Sequence, residues 1–486
     1  MLFRSFDLET GGPVPEHHAG GAFIDVLAAM AAGSDEGFFD LRLIHTQLRH
    51  ALRELGLFFE RDRKRTHSQR LVVRAISSKV SRDRLQTASG LWAVRVYLPH
   101  AFMAKESILE NSSPAALGFS MPAEWEEHEA TWLGWPHNAT DWPGKLDTIR
   151  WVYGEMVRKI AAGERARILI SGKTHEKLAR NYLSRAGADL RRVEFVLHPT
   201  NRSWTRDSGP IFVKKFKVQN PASSLKSPAD VGKSRIENPK SKIRETAIVH
   251  FHFNAWAKYD DWQQDLRVPV TAARLLKKRL FSAEYGGKDF VIEGGGIEVN
   301  GRGTLLTTEE CYLDPKVQVR NPGLGRNEIE ETLKNYLGVT NVQWLVAGPV
   351  GDDTHGHIDD ICRFVNSKTL VLIRERNRKD ANYRALGENW ERIQEVRLED
   401  RSKPEVIALP MPEPLYFHDW RLPASYANFY ICNAAVLVPT FNDRNDRIAL
   451  GILGELFKDR PVIGIHAVDL VLGFGTLHCL TQQQPL

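Results

Sequence analysis

Gly473-Phe474-Gly475-Thr476-Leu477-His478-Cys479 delivers a cysteine seven residues before the chain stops. A strand-like run, Val462 to Val468, comes just before it. Two glycines in three residues predict a turn with positive φ, a region closed to most side chains. A thiol there is either buried filler or a nucleophile, because cysteine is both among the most buried and the most reactive residue types. The glycines and the adjacent His478 favour the nucleophile, which a tight turn can hold in place.

The rest of the chain sets the terms for that cysteine. Its 486 residues suggest two or three domains, or one large domain with appendages. No run of about 18 apolar residues exists, which excludes a membrane-spanning helix. The N-terminus lacks a basic-then-apolar signal pattern, so a cytoplasmic setting is expected. Cys311, Cys362, Cys432 and Cys479 lie far apart without a CxxC pair. That suits a reducing compartment and argues against a zinc knuckle or a disulfide framework.

The net charge of +6 is unevenly placed. Residues 42–95 hold thirteen Lys/Arg against four Asp/Glu, and residues 214–246 hold nine against three. The remainder carries 44 basic and 53 acidic residues. A mildly acidic body with two local basic segments does not read as a nucleic-acid-binding fold.

Residues 1–110 form a zone of their own. A helix is expected over Phe23–Ala32, another over Leu41–Phe59, and a strand over Leu91–Leu98. These pieces assemble into no domain. The zone is expected to be a partly disordered extension or the product of a misassigned start.

From about Ser113 strands and helices alternate, which is the α/β pattern. Helices are predicted at Thr148–Ala162, Thr174–Ala186, Val270–Phe281, Arg326–Leu337, Asp380–Val396 and Asp443–Phe457. Strands are predicted at Ala166–Ile170, Val193–Leu197, Pro210–Val213, Ala247–Phe253, Phe290–Ile292, Gly303–Thr308, Gln343–Val346, Thr369–Ile373, Val406–Pro410 and Ala435–Thr440. No repeat period is visible. Residues 214–246, rich in Lys, Ser, Asn and Pro, predict a disordered basic insertion between two strands.

Four polar clusters sit at the ends of strand-like runs, where sites on α/β scaffolds lie. They are Trp204–Pro210, Glu293-Gly294-Gly295-Gly296, Thr354-His355-Gly356-His357-Ile358-Asp359-Asp360, and the Cys479 turn. Arg206-Asp207 alone could be a surface ion pair, and Glu293 with its glycines could be only a turn. Two chemistries compete for the third cluster. His355, His357 and Asp359 resemble part of the motif of dinuclear metallohydrolases. Alternatively, Asp207 and Asp359 could grip a planar guanidinium while His357 shuttles protons for Cys479. The second scheme uses all four clusters; the metal scheme leaves Cys479 and Asp207 idle.

The segments Met121–Pro136, Trp204–Pro210, Glu293–Gly296, Gly356–Asp360 and Leu472–Pro485 together resemble the agmatine deiminase family. That family is related to bacterial peptidylarginine deiminases, within the guanidine-modifying pentein superfamily. The resemblance covers residues 113–486 in the family's order. It implies a five-bladed, pseudo-symmetric α/β propeller around a central site, with a catalytic domain at 111–486. It also implies that Cys479 is the nucleophile and His357 the general acid/base. Asp207 and Asp359 would bind the guanidinium, Glu293 would orient the histidine, and Trp204 would wall the channel. No metal or other cofactor is implied. The implied partner is a small guanidine, agmatine or arginine-like, with no nucleic acid or membrane; a homo-oligomer is compatible. Residues 1–110 and the insertion have no counterpart in the family. His355 stands where some members carry an acidic residue.

Overall fold

The computed structural model describes residues 57–61, 71–75, 112–217 and 243–486. The chain divides into two units, Met1–Asn111 and Ser112–Leu486. In the first, Leu57–Arg61 pairs antiparallel with Leu71–Ala75. The expectations for Phe23–Ala32, Leu91–Leu98 and most of Leu41–Phe59 lie outside the described residues. Leu57–Phe59, the end of the last, is strand rather than helix. Its adjacent Phe58 and Phe59 suit a pleated surface.

The second unit is α/β, and five of its sheets share one pairing pattern among the described residues. Each starts with an antiparallel pair and continues into a parallel one. Ile211–Lys217 pairs antiparallel with Ile243–His250, which pairs parallel with Leu280–Ser282. Glu298–Val299, Thr304–Thr308 and Asn341–Leu345 repeat this order. So do Cys362–Phe364, Thr369–Arg374 and Glu405–Pro410, and Tyr430–Ile431, Val436–Thr440 and Val462–His466. In the remaining sheet the chain's last strand, Thr481–Pro485, lies antiparallel to its first in this unit, His128–Gly134. That strand continues in parallel to Arg165–Ile170 and then Val193–Leu197.

A parallel pair needs a crossover, and a helix supplies it in each sheet. These are Leu146–Ile160, Val268–Leu276, Arg326–Leu337, Asn382–Arg392 and Asp446–Leu456. The first shows why they form. Ile149, Tyr153, Met156, Val157 and Ile160 recur at three- and four-residue steps and are buried, so one stripe packs on the sheet. The helix Arg326–Leu337 stops at Gly338, whose φ of 64° is left-handed and whose Cα lies too close to the Phe119 carbonyl for a Cβ. The middle strands are apolar almost throughout, as in Thr369–Arg374, where only the last residue is exposed. Strands covered on both faces read that way.

Three expectations need correction. The predicted helix Val270–Phe281 is a helix to Leu276 and then a strand from Leu280 to Ser282, because Lys277 takes a left-handed φ of 53°. Phe290–Ile292 is no ladder strand; Val291 makes one isolated bridge with His252. The insertion predicted over 214–246 is ordered at both ends. The ladder runs on through Lys214↔Thr246 to Lys217↔Ile243, with a Lys215–Glu245 ion pair across it at 3.3 Å. Opposite charges facing each other across two strands look, in one dimension, like a solvated charge run. No helix of the described residues is long and apolar enough to cross a membrane.

Candidate active site

Five residues precede the short antiparallel strands of the five sheets, one to each. Asp207 precedes Ile211–Lys217, Glu293 precedes Glu298–Val299, and Asp359 precedes Cys362–Phe364. Asn428 precedes Tyr430–Ile431, and Cys479 precedes Thr481–Pro485. Asp207, Glu293 and Asp359 stand in or just before single helical turns. Their side chains meet around His357.

Cys479 is buried, 4% exposed. Its Sγ lies 3.1 Å from Asn428 Nδ2 and 3.7 Å from Asp359 Oδ2. Burial pushes the thiol pKa far up, and the charges of Asp359, Asp360 and Asp207 push it further. The turn differs from its expected form. Neither Gly473 nor Gly475 has a positive φ; Phe474 between them does, at 66°. The glycines supply space instead. A Cβ on Gly473 would lie 2.7 Å from both Trp142 and Trp204, and one on Gly475 would lie 2.9 Å from Trp204 and 3.1 Å from Sγ. Trp204 therefore packs directly against the cysteine's turn.

His357 is fully buried, and its ring nitrogens make no hydrogen bond within the chain. Nδ1 lies 3.7 Å from Asp207 Oδ1, and Nε2 lies 3.6 Å from Glu293 Oε2. Those are ion-pair distances, too long for hydrogen bonds. Burial favours the neutral ring, but Asp207, Glu293 and Asp359 outweigh it and raise the pKa to about 9.

Each carboxylate is held differently. Asp207 accepts from the Gly295 amide at 3.0 Å and from Trp256 Nε1 at 2.9 Å. Burial raises its pKa to about 6, with His357 opposing. Glu293 pairs with Arg320 at 3.2 Å, both side chains being fully buried. Burial would raise its pKa, yet Arg320 and His357 bring it down to about 2. Asp359 Oδ2 receives a 2.6 Å bond from His478 Nδ1, while Oδ1 has no partner in the chain. Burial raises its pKa, but His478, His357 and Arg363 together hold it low.

The three glycines after Glu293 are required by close approach. A Cβ at Gly295 would lie 2.5 Å from His357 Nδ1 and 2.8 Å from Asp207 Oδ1. At Gly294 it would meet the Arg206 carbonyl at 2.2 Å, and at Gly296 the Tyr312 hydroxyl at 2.1 Å. Trp256 reaches Asp207 from a strained segment: Ala255, Trp256 and Ala257 all have positive φ, between 50° and 60°. The Asn254 side chain accepts from the Ala257 amide at 2.9 Å and closes that turn.

A buried ionic layer supports the site. Glu124 accepts from Arg206, Arg363 and His478 at 2.7–2.9 Å. Arg363 also pairs with Glu298 at 2.9 Å and donates to the Phe429 carbonyl at 2.6 Å. His478 has a carboxylate oxygen at each ring nitrogen, Asp359 Oδ2 at Nδ1 and Glu124 Oε2 at Nε2. Arg206 is thus not half of a surface ion pair with Asp207, as one sequence reading allowed. It is buried, turns to Glu124 and Gln483, and leaves Asp207 to the site.

Cys479, His357, Asp359, Asp207 and Glu293 are brought together, with Trp204 beside them. His355 is not: its ring lies 3.2 Å from Asp314 and 3.5 Å from Glu310. His355, His357 and Asp359 consequently do not form a metal-sized cluster among the described residues. Sequence reasoning missed Asn428, Glu124, Arg320, Trp256 and the structural part of His478. Of these, Glu124 alone carried a signal in the sequence, its place in a tryptophan-rich stretch.

A buried thiol, a histidine among carboxylates and five repeating sheets define an α/β protein organised around one polar centre. A family description, Porphyromonas-type peptidyl-arginine deiminase, matches residues 120–485. The chain belongs to that family. It is 35% identical to the agmatine deiminase of Medicago truncatula over 406 residues, 78% of this chain and 99% of that one. It is 33% identical to the agmatine deiminase of Pseudomonas aeruginosa (strain LESB58), over 77% of this chain and 97% of that one. Among solved structures, the agmatine deiminase of Enterococcus faecalis superposes with a TM-score of 0.65 at 27% identity, covering 77% and 98% of the two chains. The C. jejuni agmatine deiminase with substrate bound gives 0.62 at 27% identity, covering 75% and 96%.

Proposed function

We propose that this chain is an agmatine deiminase, hydrolysing agmatine to N-carbamoylputrescine and ammonia, a step toward putrescine. The observation that carries the reading is the charge around Cys479. Asp207, Asp359 and Asp360 crowd a buried thiol, and Asp359 Oδ1 has no partner in the chain. Such a site is complementary to a planar cation that only donates hydrogen bonds. A guanidinium held there by Asp207 and Asp359 brings its positive charge beside the sulfur and favours the thiolate that the carboxylates oppose.

In the mechanism that follows, the thiol proton passes to solvent and the thiolate attacks the guanidinium carbon, forming a C–S bond. His357, protonated, gives its proton to the leaving nitrogen; the C–N bond breaks and ammonia departs. An amidino-thioether on Cys479 remains. Neutral His357 then takes a proton from water, whose oxygen attacks the same carbon. Collapse of that adduct breaks the C–S bond and yields the urea, and the sulfur takes up the adduct's hydroxyl proton, which returns the thiol. Glu293 keeps the His357 ring oriented, and Trp204 walls the channel. We further infer that the five sheets are the blades of a pseudo-symmetric propeller. The shared pairing order and the matching position of one site residue per sheet support that reading.

The family description favours one second reading, deimination of arginine residues in peptides. The test is ammonia release from agmatine, free arginine and a peptide ending in arginine, with turnover of agmatine expected to dominate. Dominant turnover of the peptide would replace the reading. Cys479→Ser should abolish turnover and retain binding, since a serine hydroxyl keeps the shape but is a far weaker nucleophile. Wild type quenched during turnover should carry an adduct on the Cys479 peptide, and an active Cys479→Ser variant would sink the covalent route.

A further inference from the structure

We propose that Asn428 is a further catalytic residue, whose side-chain amide donates a hydrogen bond to Cys479 Sγ and stabilises the thiolate. The inference rests on the reading of Cys479 as nucleophile. Asn428 is fully buried and stands before Tyr430–Ile431 as Cys479 stands before Thr481–Pro485. It fills the one sheet for which the sequence suggested no site residue.

Every polar atom of its side chain is engaged. Oδ1 accepts from Thr476 Oγ1 at 2.7 Å, from the His478 amide at 3.1 Å and from the Cys479 amide at 3.4 Å. Nδ2 donates to Asp360 Oδ1 at 3.0 Å and to Sγ at 3.1 Å. This pattern dictates the amide orientation. Reversed, the NH2 group would face three donors and the oxygen would face a carboxylate. The amide therefore clasps the turn with its oxygen and presents one N–H to the sulfur. The other groups that act on the thiol are acidic: Asp207, Asp359 and Asp360. Three carboxylates oppose a thiolate, and the Asn428 N–H is the hydrogen-bond donor that faces it among the described residues. A donor aimed at a charge that develops during reaction lowers the barrier.

The test separates this role from anchoring the turn. Asn428→Asp keeps the acceptor that clasps Thr476, His478 and Cys479 but removes both donors. Asn428→Ser removes the amide donor without adding charge, its hydroxyl standing where Cγ stood and so a bond length short of the sulfur. Both are assayed in the full chain for turnover of agmatine and for alkylation of Cys479 by a haloacetamidine across pH. We expect kcat to fall about 100-fold with KM changed only a few-fold. The alkylation midpoint should rise by about one pH unit, a tenfold slower reaction at fixed pH. A midpoint unchanged in the variants that fold would overturn the proposal, whatever happens to kcat, and so would wild-type kcat in Asn428→Asp. Should Asn428→Asp not fold, Asn428→Ser decides alone. If wild type turns over no agmatine, the functional reading fails, while the alkylation comparison still judges Asn428.

Discussion

His357 shows how burial and charge compete at one residue. Its pKa is raised from 6.5 to about 9 because three carboxylates outweigh desolvation. A group whose folded pKa lies above its unfolded value stabilises the fold while it is protonated. That stability is complete below pH 6.5 and is lost as pH rises through about 9. Among the buried acids with raised values, Asp141 and Asp207 at about 6 and Asp265 at about 7 complete their own losses at lower pH, while Asp360, raised well above the carboxylate range by burial and by Asp359, loses its share at higher pH. In the window from about pH 7 to 9 His357 contributes a fall in stability, to which Asp360 adds with the same sign. The midpoint of urea denaturation should fall across that window, with a slope of at most about 1.4 kcal/mol per pH unit for one proton. In His357→Gln the slope should flatten, and an equally steep slope in that variant would reject this account.

At the scale of elements, the site depends on turns that leave no room for a Cβ. Gly475→Ala would push a methyl against Trp204 and the sulfur, and Gly295→Ala would push one against His357 and Asp207. Neither glycine has a positive φ, so the substitutions add crowding rather than backbone strain. Each should lower kcat by at least about 100-fold, the cost of displacing a reacting group by about 1 Å. Gly172, where a Cβ would meet nothing within 4 Å, is the control for added bulk. Circular dichroism and melting curves should show that the Ala variants still fold. Wild-type rates in both would show that the turns have slack.

At the scale of the whole molecule, the chain's two ends in the second unit meet in one sheet. Thr481–Pro485 supplies the antiparallel partner of His128–Gly134, and all five of its residues are buried. Gln483 and Gln484 also accept bonds from Arg206 and Trp132. Deleting residues 481–486 should leave the protein insoluble, because it strips a fully buried edge strand and several buried partners. Starting the chain at Ser112 should be tolerated. The unit boundary falls there, and every site residue lies beyond it. Equal turnover is expected, with a melting shift of a few degrees, roughly 1 kcal/mol for a chain of this size. Loss of folding would show that residues before Ser112 complete the core.

How much of this was legible in one dimension follows from the length of each signal. The crossover helices and middle strands carry enough residues for periodicity, so Arg326–Leu337 was read to both its ends and Thr369–Arg374 to within one residue. Glu298–Val299, Cys362–Phe364 and Tyr430–Ile431 have two or three residues and no period to read. Those short strands mark the repeat, which is why no repeat was visible. Cys479, His357, Asp207 and Asp359 stood out as candidates in the sequence because unusual side chains cluster beside glycines, and the fold brings them together. What they touch was not legible. An asparagine in Tyr426-Ala427-Asn428-Phe429 looks like any other until folding brings it, across 51 residues, to the sulfur. Glu124 gathers Arg206, Arg363 and His478 from three distant segments into one buried ionic layer. Residue types and local spacing determined which groups could react; only tertiary structure decided which of them are held, charged and aimed, because burial and partner distance set those properties and neither is local in sequence.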